Sequence, residues 1–394
     1  MTTSLTQDER KTAVTDEPFQ TVDVLIIAGG HFAHDTFSAF LSPLLPLIQD
    51  KLSTGYALTG SLAIFAQLPS LLNPFIGYLA DKVSLRYFII FAPAVTATLF
   101  SSLGLANSYW SLAILLFAAG LSIAAFHAPA PAMIGKISGK EVGKGMGIFM
   151  AAGELGRTLG PVFAIAGVGW FGLDGIWRLS FVGWAVTGLL FIRLRHVSAS
   201  AKNEKRYAFT AVWPEVRRVF PVLAWLVGAR VGLLVSITTY LPIYVRDVRH
   251  ADVSLAAAAL TILEGAGVVG ALLTGALSDK WGRRRMLIFL LFLSPPLLLL
   301  LLVVPVWLFV PLLVLLGLTA VTVQPVILAV VQDAFPKNRA VANGIYLAQS
   351  FLIRAVGISI VGLLADAYSL QAAFAISAGL AFLSIPAVFK LLPR

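Results

Sequence analysis

The stretches "GYLADKVSLRY" (residues 77–87) and "GALSDKWGRRR" (residues 275–285) repeat one pattern in the two halves of the chain. Each has Gly-x-Leu-x-Asp-Lys at the end of a long apolar segment, and basic residues follow where the next apolar segment begins. The copies lie 198 residues apart, half of the 394-residue chain. An internal repeat at this distance predicts two halves with the same architecture.

The composition assigns this repeat to a membrane protein. Hydrophobic residues make up 58% of the chain, charged residues make up 12%, and the mean hydropathy is +0.89. A soluble chain carries roughly 25% charged residues. A membrane-spanning helix needs about 20 apolar residues, and twelve segments qualify: 21–47, 57–80, 86–106, 109–135, 143–168, 175–195, 219–245, 253–278, 286–304, 306–332, 340–365 and 369–392. We therefore predict an all-α membrane protein whose twelve transmembrane helices form two pseudo-symmetric six-helix bundles.

Polar segments predict the domain boundaries and the orientation. We expect a cytoplasmic tail at 1–20, one bundle at 21–195, a cytoplasmic linker at 196–218 and a second bundle at 219–394. The termini and alternate loops hold 22 of the 29 Lys and Arg residues, which predicts that both termini are cytoplasmic. The formal net charge of +10 then reflects orientation and requires no nucleic acid. The absence of cysteine and of an Asn-X-Ser/Thr acceptor pattern suits a bacterial inner membrane.

The repeated loop motif predicts a conformational latch. Glycine allows helices to approach closely, and an aspartate at a helix end can pair with nearby basic residues and a helix N-terminus. The predicted latch residues are Gly77, Asp81, Lys82, Arg86, Gly275, Asp279, Lys280, Gly282 and Arg283. An alternative is that these charges only enforce topology.

This combination resembles the major facilitator superfamily over residues 21–392. The second motif copy carries the family's full Gly-x-Leu-x-Asp-Arg/Lys-x-Gly-Arg-Arg signature, whereas the first has Ser84 in place of the second glycine and keeps Arg86. The resemblance implies the major facilitator fold and transport by alternating access. In this fold helices 1, 4, 7 and 10 line the central cavity.

Six charged side chains fall near the predicted membrane midplane. They are Asp35, Glu154, Arg157, Arg230, Glu264 and Arg354. One such charge costs roughly 2.5–3.5 kcal/mol on insertion scales, so each is expected to be paired or functional. Glu154 and Arg157 lie three residues apart on one helical face and can pair. The pair can be purely structural, or the acids can carry protons as their partners change, which is the interpretation we prefer.

The stretch "GELGRTLGP" (residues 153–161) resembles the helix 5 motif of the superfamily's antiporters, with Gly156, Gly160 and Pro161 matching. Ala164 and Ala166 stand where paired glycines usually follow. Small residues at this spacing also serve plain helix packing.

Histidines accompany the charge in helix 1. His31 and Asp35 share a face with His34 adjacent, and His127 precedes a Pro-rich stretch of helix 4. These elements resemble the fosmidomycin-resistance branch, whose members are proton-driven exporters, although Ala128 separates His127 from the proline.

The sequence therefore predicts a secondary transporter. The interpretation we prefer is a proton-coupled antiporter that exports a small organic compound of anionic or drug-like character, such as an antibiotic. One alternative is a proton symporter that imports an organic anion. A lower-ranked alternative is a divalent metal exporter that uses His31, Asp35 and His127.

Residue roles follow from this prediction. Proton coupling is assigned to Asp35, Glu154, Glu264, His31 and His127, and Arg157 is a charge partner. Substrate binding is assigned to His31, Asp35, His127, Arg230, Arg354 and Gln324. No catalytic centre, metal site or cofactor other than the proton is expected, so the chain is not predicted to be an enzyme. Its expected partners are the substrate, protons and the bilayer, and it is expected to act as a monomer.

Overall fold

The structure, a computed structural model, describes residues 18–73, 75–76, 85–197, 213–335 and 339–392. Eleven helices of this described part are long and apolar enough to cross a membrane. With the shorter apolar helix Tyr56–Leu72 counted second, we number them α1 to α12: Thr21–Leu52, Tyr56–Leu72, Arg86–Leu105, Tyr109–Ile137, Val142–Phe171, Leu173–Leu194, Trp213–Asp247, Val253–Trp281, Arg283–Val303, Trp307–Ala334, Arg339–Ala367 and Leu370–Leu391. No strand occurs in these residues.

The predicted fold class is confirmed, since every segment predicted to span the membrane is helical where it is described. The second predicted span, 57–80, is covered only in part, because residues 74 and 77–84 are not described. The first latch residues Gly77, Asp81 and Lys82 therefore lie outside the described residues, as do most of the predicted tail and linker. The domain boundaries stay predictions.

Side-chain caps begin three helices at the end of the bundle away from the chain termini, which we call the far end. Ser108 Oγ accepts from the Ser111 backbone at α4, Asp252 Oδ1 from Leu255 at α8, and Ser369 Oγ from Ala372 at α12. Each cap satisfies a backbone N–H that has no partner within its own helix.

Two helices that the resemblance expects to line the central cavity contain a local irregularity. Residues Ser236–Tyr240 of α7 and Gly317–Val321 of α10 each form a short π-helical turn. Such turns widen the helix and leave some backbone groups without a hydrogen-bond partner in the helix. They occur frequently at functional sites.

The two halves meet along α2–α11 and α5–α8, and hydrogen bonds join them at the far end. Asp366 of α11 accepts from the backbone N–H groups of Tyr56 and Ala57 at 2.7 and 3.0 Å, so one half caps a helix of the other. Arg246 of α7 pairs with Asp50 of α1 at 2.8 Å. These contacts hold the far end closed in this conformation.

Candidate functional site

Asp35 lies at the centre of a buried polar cluster between α1 and α4. Its side chain is 3% exposed. His31 Nε2 lies 3.2 Å from Asp35 Oδ2, and His127 Nε2 lies 3.3 Å from Asp35 Oδ1. The two Nε2 atoms are themselves 3.3 Å apart. The structure thus brings together the three residues that the sequence assigned to both proton and substrate binding.

The other nitrogens of these two imidazoles determine where the protons lie. His31 Nδ1 is 2.8 Å from the Phe149 carbonyl oxygen, and His127 Nδ1 is 3.0 Å from that of Ile123. Because a carbonyl oxygen only accepts, both Nδ1 atoms must carry the hydrogen and donate. In a neutral ring each Nε2 is then an acceptor that faces the carboxylate and the other Nε2. Three acceptors with no proton among them would repel, so the cluster must share at least one further proton.

His34 is a third imidazole on the same carboxylate. Its Nδ1 donates to Asp35 Oδ1 at 2.9 Å, and its ring stacks on Phe126 with the centroids 4.4 Å apart. Its Nε2 is buried with no described hydrogen-bond partner. The ring is therefore a fixed neutral donor that orients Asp35. The sequence pattern predicted no role for His34, although its position next to Asp35 was a signal.

Three glycines of α5 allow this helix to press against α1 at the cluster. A Cβ on Gly153 would lie 2.3 Å from the His31 ring, and one on Gly156 would lie 2.4 Å from the Phe32 carbonyl oxygen. A Cβ on Gly160 would meet Thr36 at 2.6 Å. The small residues that resemble an antiporter motif thus seat α5 on the Asp35 cluster, and this contact brings the Phe149 carbonyl to His31.

Charged residues continue from the cluster toward the other half. Arg157 forms an ion pair with Glu154, and its Nε lies 4.0 Å from Asp35 Oδ2. Across the interface, Glu264 of α8 interacts electrostatically with Arg157 and with Arg354 of α11. The result is an alternating series of charges that runs from Asp35 in one half to Arg354 in the other.

The remaining residues assigned to substrate binding do not share one position. Arg354 donates from Nη2 to Thr238 Oγ1 at 3.0 Å and Thr239 Oγ1 at 3.3 Å, in the π turn of α7. Arg230 is buried and donates to the Ala320 carbonyl oxygen at 2.5 Å, in the π turn of α10. Arg230 thus braces two helices of its own half, and Gln324 is exposed.

The residue types around Asp35 also fit a divalent metal. Ligand atoms of His31, Asp35 and His127 lie within 4.8 Å of one another, and backbone carbonyls hold the opposite ring N–H groups, as is usual for histidine ligands. The guanidinium of Arg157, however, lies 4.0 Å from the same carboxylate. A divalent ion brings twice the charge of a proton to this point, so repulsion by the guanidinium weighs more heavily against a metal ion than against a proton.

The residues of the second predicted latch include an ion-pair cluster at the ends of α8, α9 and α10. Arg283 pairs with Asp279 at 2.6 Å and with Asp333 at 3.1 Å. Gly282 connects α8 to α9 with a φ of +89°, which explains why the motif has glycine there. Of the other predicted latch residues, Lys280 is exposed and Arg86 lies over the Tyr87 ring at 5.0 Å.

Comparisons with known proteins agree with this architecture. The family model of the Major Facilitator Superfamily matches residues 27–294 and 250–394. The chain is 23% identical over 378 residues to the fosmidomycin resistance protein of Escherichia coli (strain K12), which covers 92% of this chain and 91% of that protein. It is 25% identical over 361 residues to the uncharacterized MFS-type transporter YfnC of Bacillus subtilis (strain 168), covering 88% and 87%.

Solved structures share the fold at low identity. The nucleoside transporter NupG superposes with a TM-score of 0.75 at 14% identity, covering 94% of this chain and 99% of that one. A bacterial homolog of the human lysosomal transporter Spinster, in an inward-facing and unoccupied conformation, superposes with a TM-score of 0.73 at 17% identity, covering 95% of each chain.

Proposed function

The chain belongs to the Major Facilitator Superfamily and is a secondary transporter, and from this premise we propose that it is a proton-coupled antiporter that exports a small organic compound. The observation that carries the proposal is the meeting of His31 Nε2, His127 Nε2 and the Asp35 carboxylate, which requires a shared proton. A buried site that needs a proton, next to the half-exposed cation Arg157, is a means of linking proton binding to movement.

Arg157 is the residue that links proton binding to movement of the two halves. It contacts Asp35 and Glu154 in its own half, and it interacts with Glu264 in the other half. When Asp35 and its histidines take up a proton, the carboxylate holds Arg157 less strongly, and the guanidinium can turn toward Glu264. When the proton leaves, Arg157 returns to Asp35. The position of one guanidinium then reports proton occupancy to the interface between the halves.

Two observations support our proposal that the direction of transport is export. The α5 glycines pack against the proton cluster as an antiporter-type motif would, and a relative of this chain is a fosmidomycin resistance protein. We infer export of fosmidomycin or a related small compound across a bacterial inner membrane, by a monomer whose termini are cytoplasmic. A proton symporter for an organic anion is the second candidate, favoured by the cation Arg354 in the membrane.

Flux across proteoliposomes with an imposed pH gradient tests this proposal. Antiport predicts that fosmidomycin, or a compound from a panel of small antibiotics and organic anions, moves opposite to the protons. Movement in the direction of the protons would support the symporter instead. Divalent-ion flux that disappears in both His31→Gln and His127→Gln would support the metal exporter.

A further inference from the structure

A cavity between the two halves lies one helical turn from the Asp35 cluster. Its volume is about 140 Å³, and its lining includes Ser38, Ser42, Gln67, Phe100, Thr239 and Arg354. Ser38 donates to the Asp35 backbone carbonyl, and Ile123, whose carbonyl binds His127, also lines the cavity. The cavity therefore shares two walls with the proton site without including the carboxylate of Asp35.

Arg354 lines this cavity, and not all of its N–H groups have a hydrogen-bond partner among the described residues. Its Nη2 donates to Thr238 and Thr239, but its Nε is buried with no described hydrogen-bond partner. No carboxylate of the described residues lies within 4.0 Å of the Arg354 guanidinium, the distance that defines an ion pair. Glu264 interacts with it only at longer range. An N–H that is buried without a partner is costly, so this side chain would gain from an oxygen acceptor that enters the cavity it lines.

Two other side chains of the lining offer hydrogen-bond donors to the same space. Ser42 and Gln67 make no hydrogen bond to any residue that the structure describes, and no acidic side chain is among the described lining residues. A hydroxyl, an amide and a guanidinium that face one small space match the oxygens of a carboxylate, phosphate or phosphonate. Phe100 and Leu41 supply apolar surface for an attached organic group.

We propose that this cavity is an oxoanion subsite in which Arg354, Ser42 and Gln67 bind the anionic group of the transported compound. The inference rests on the proposed transport function and narrows the substrate class to organic carboxylates, phosphates and phosphonates. Anion binding would also draw Arg354 from Thr238 and Thr239, which loosens the π turn of α7. The subsite is separate from Arg230, which is bonded to Ala320.

Protection of an introduced cysteine tests the subsite without a proton gradient. The chain has no cysteine, so Ala66→Cys places a single thiol in the cavity lining. Its reaction with methyl methanethiosulfonate, an uncharged reagent, is followed in purified full-length protein with acetate or methylphosphonate. We expect labelling to slow about tenfold when the anion is at ten times its dissociation constant, and acetamide and chloride at equal concentrations to give no protection.

Variants assign the effect to Arg354. Arg354→Gln is expected to weaken anion protection about 10- to 100-fold, as the loss of hydrogen bonds to a charged group predicts. Arg193→Gln is the matched control, because it removes an arginine whose ion pair with Asp23 lies outside the cavity, and it should leave protection unchanged. If Arg354→Gln does not fold, Gln67→Leu keeps the arginine and is expected to weaken protection about fivefold.

Protection that persists in Arg354→Gln, or equal protection by chloride or acetamide, would overturn the subsite. The test is independent of proton coupling, since protection is measured without a proton gradient. Failure of proton-driven flux with intact protection would reject the antiporter and leave the subsite standing, and the reverse result would reject only the subsite.

Discussion

Asp35 receives one hydrogen bond from a fixed donor and two contacts from imidazoles whose protonation can change. His34 has its only described hydrogen bond with this carboxylate, at 2.9 Å. His31 and His127 differ from it because each is tied through Nδ1 to a backbone carbonyl and presents Nε2 inward. The same residue type thus has two roles, and the partner of the second nitrogen decides which role each ring has.

Arg157 is the residue at which we expect the largest effect of a single charge. Arg157→Gln leaves Asp35 and Glu154 without their shared cation, so pH-driven flux should fall at least about tenfold. The flux of Arg157→Lys should lie between those of the wild type and Arg157→Gln, because an ammonium cannot bridge two carboxylates with a planar fork. Proteoliposome flux measures both variants.

The matched control removes an arginine from an ion pair outside the site. Arg193 pairs with Asp23 at 3.1 Å near the end of the bundle, and Arg193→Gln should transport at the wild-type rate. Equal flux in Arg157→Gln and Arg193→Gln would contradict the role of Arg157.

The glycines of helix α5 fall into two groups, which differ in whether a Cβ would have room. Gly153, Gly156 and Gly160 face α1 with no room for a Cβ, whereas Gly147 and Gly169 have nothing within 4 Å. One helix therefore has glycines that packing requires and glycines that it does not.

Substitution by alanine separates these two classes. Gly156→Ala forces α5 from the Phe32 backbone and should destabilise the protein by about 1–3 kcal/mol. Gly147→Ala gains helix propensity and should be neutral or stabilising by up to about 1 kcal/mol. Thermal unfolding in detergent, followed by tryptophan fluorescence, compares them, and a Gly156→Ala protein as stable as Gly147→Ala would refute the packing role.

The α8–α9 connection depends on a glycine in a backbone conformation that other residues rarely adopt. Gly282 has a φ of +89°, and a Cβ there would meet nothing within 4 Å, so the cost of Gly282→Ala is purely conformational. We expect a loss of about 1–2 kcal/mol in unfolding free energy. Gly143→Ala, also free of contacts, is the control in the same unfolding measurement. An unchanged midpoint for Gly282→Ala would show that the backbone turn relaxes.

At the scale of the molecule, the far-end contacts define one of the states that alternating access requires. Asp366 and Arg246 join the halves through a helix cap and an ion pair. Opening of this end must break both, while the α5–α8 and α2–α11 contacts allow the halves to rock.

Loss of the cap should shift the population toward an open far end. Asp366→Asn loses the charge that accepts two backbone N–H groups, and Thr59→Cys supplies a thiol at a position that is 0% exposed in this state. Labelling of Thr59→Cys by a hydrophilic maleimide should rise about tenfold with Asp366→Asn, equivalent to about 1.4 kcal/mol. Asp252→Asn, which alters a cap within one half, should leave labelling unchanged. An equal rise in both variants would contradict the gate.

The sequence predicted the fold well because membrane helices are visible in composition alone, and the repeat at 77–87 and 275–285 revealed the two halves. It also found Asp35, His31 and His127, since ionisable groups in an apolar run are conspicuous. It did not predict the separation of Arg230 from Arg354, because the π turns that bind them depend on tertiary contacts. Ser42 and Gln67 were missed for a similar reason, since uncharged polar residues give no signal until the cavity is seen.

If Asp35 carries the coupling proton, neutralising its carboxylate must separate proton movement from substrate movement when both are measured simultaneously. Proteoliposomes with an internal pH dye would receive fosmidomycin and each panel compound, for the wild type and for Asp35→Asn. Antiport through Asp35 predicts opposite movement of compound and protons in the wild type. In Asp35→Asn it predicts that exchange of compound persists without proton movement. Proton-driven accumulation by Asp35→Asn at the wild-type rate would show that Asp35 does not carry the coupling proton.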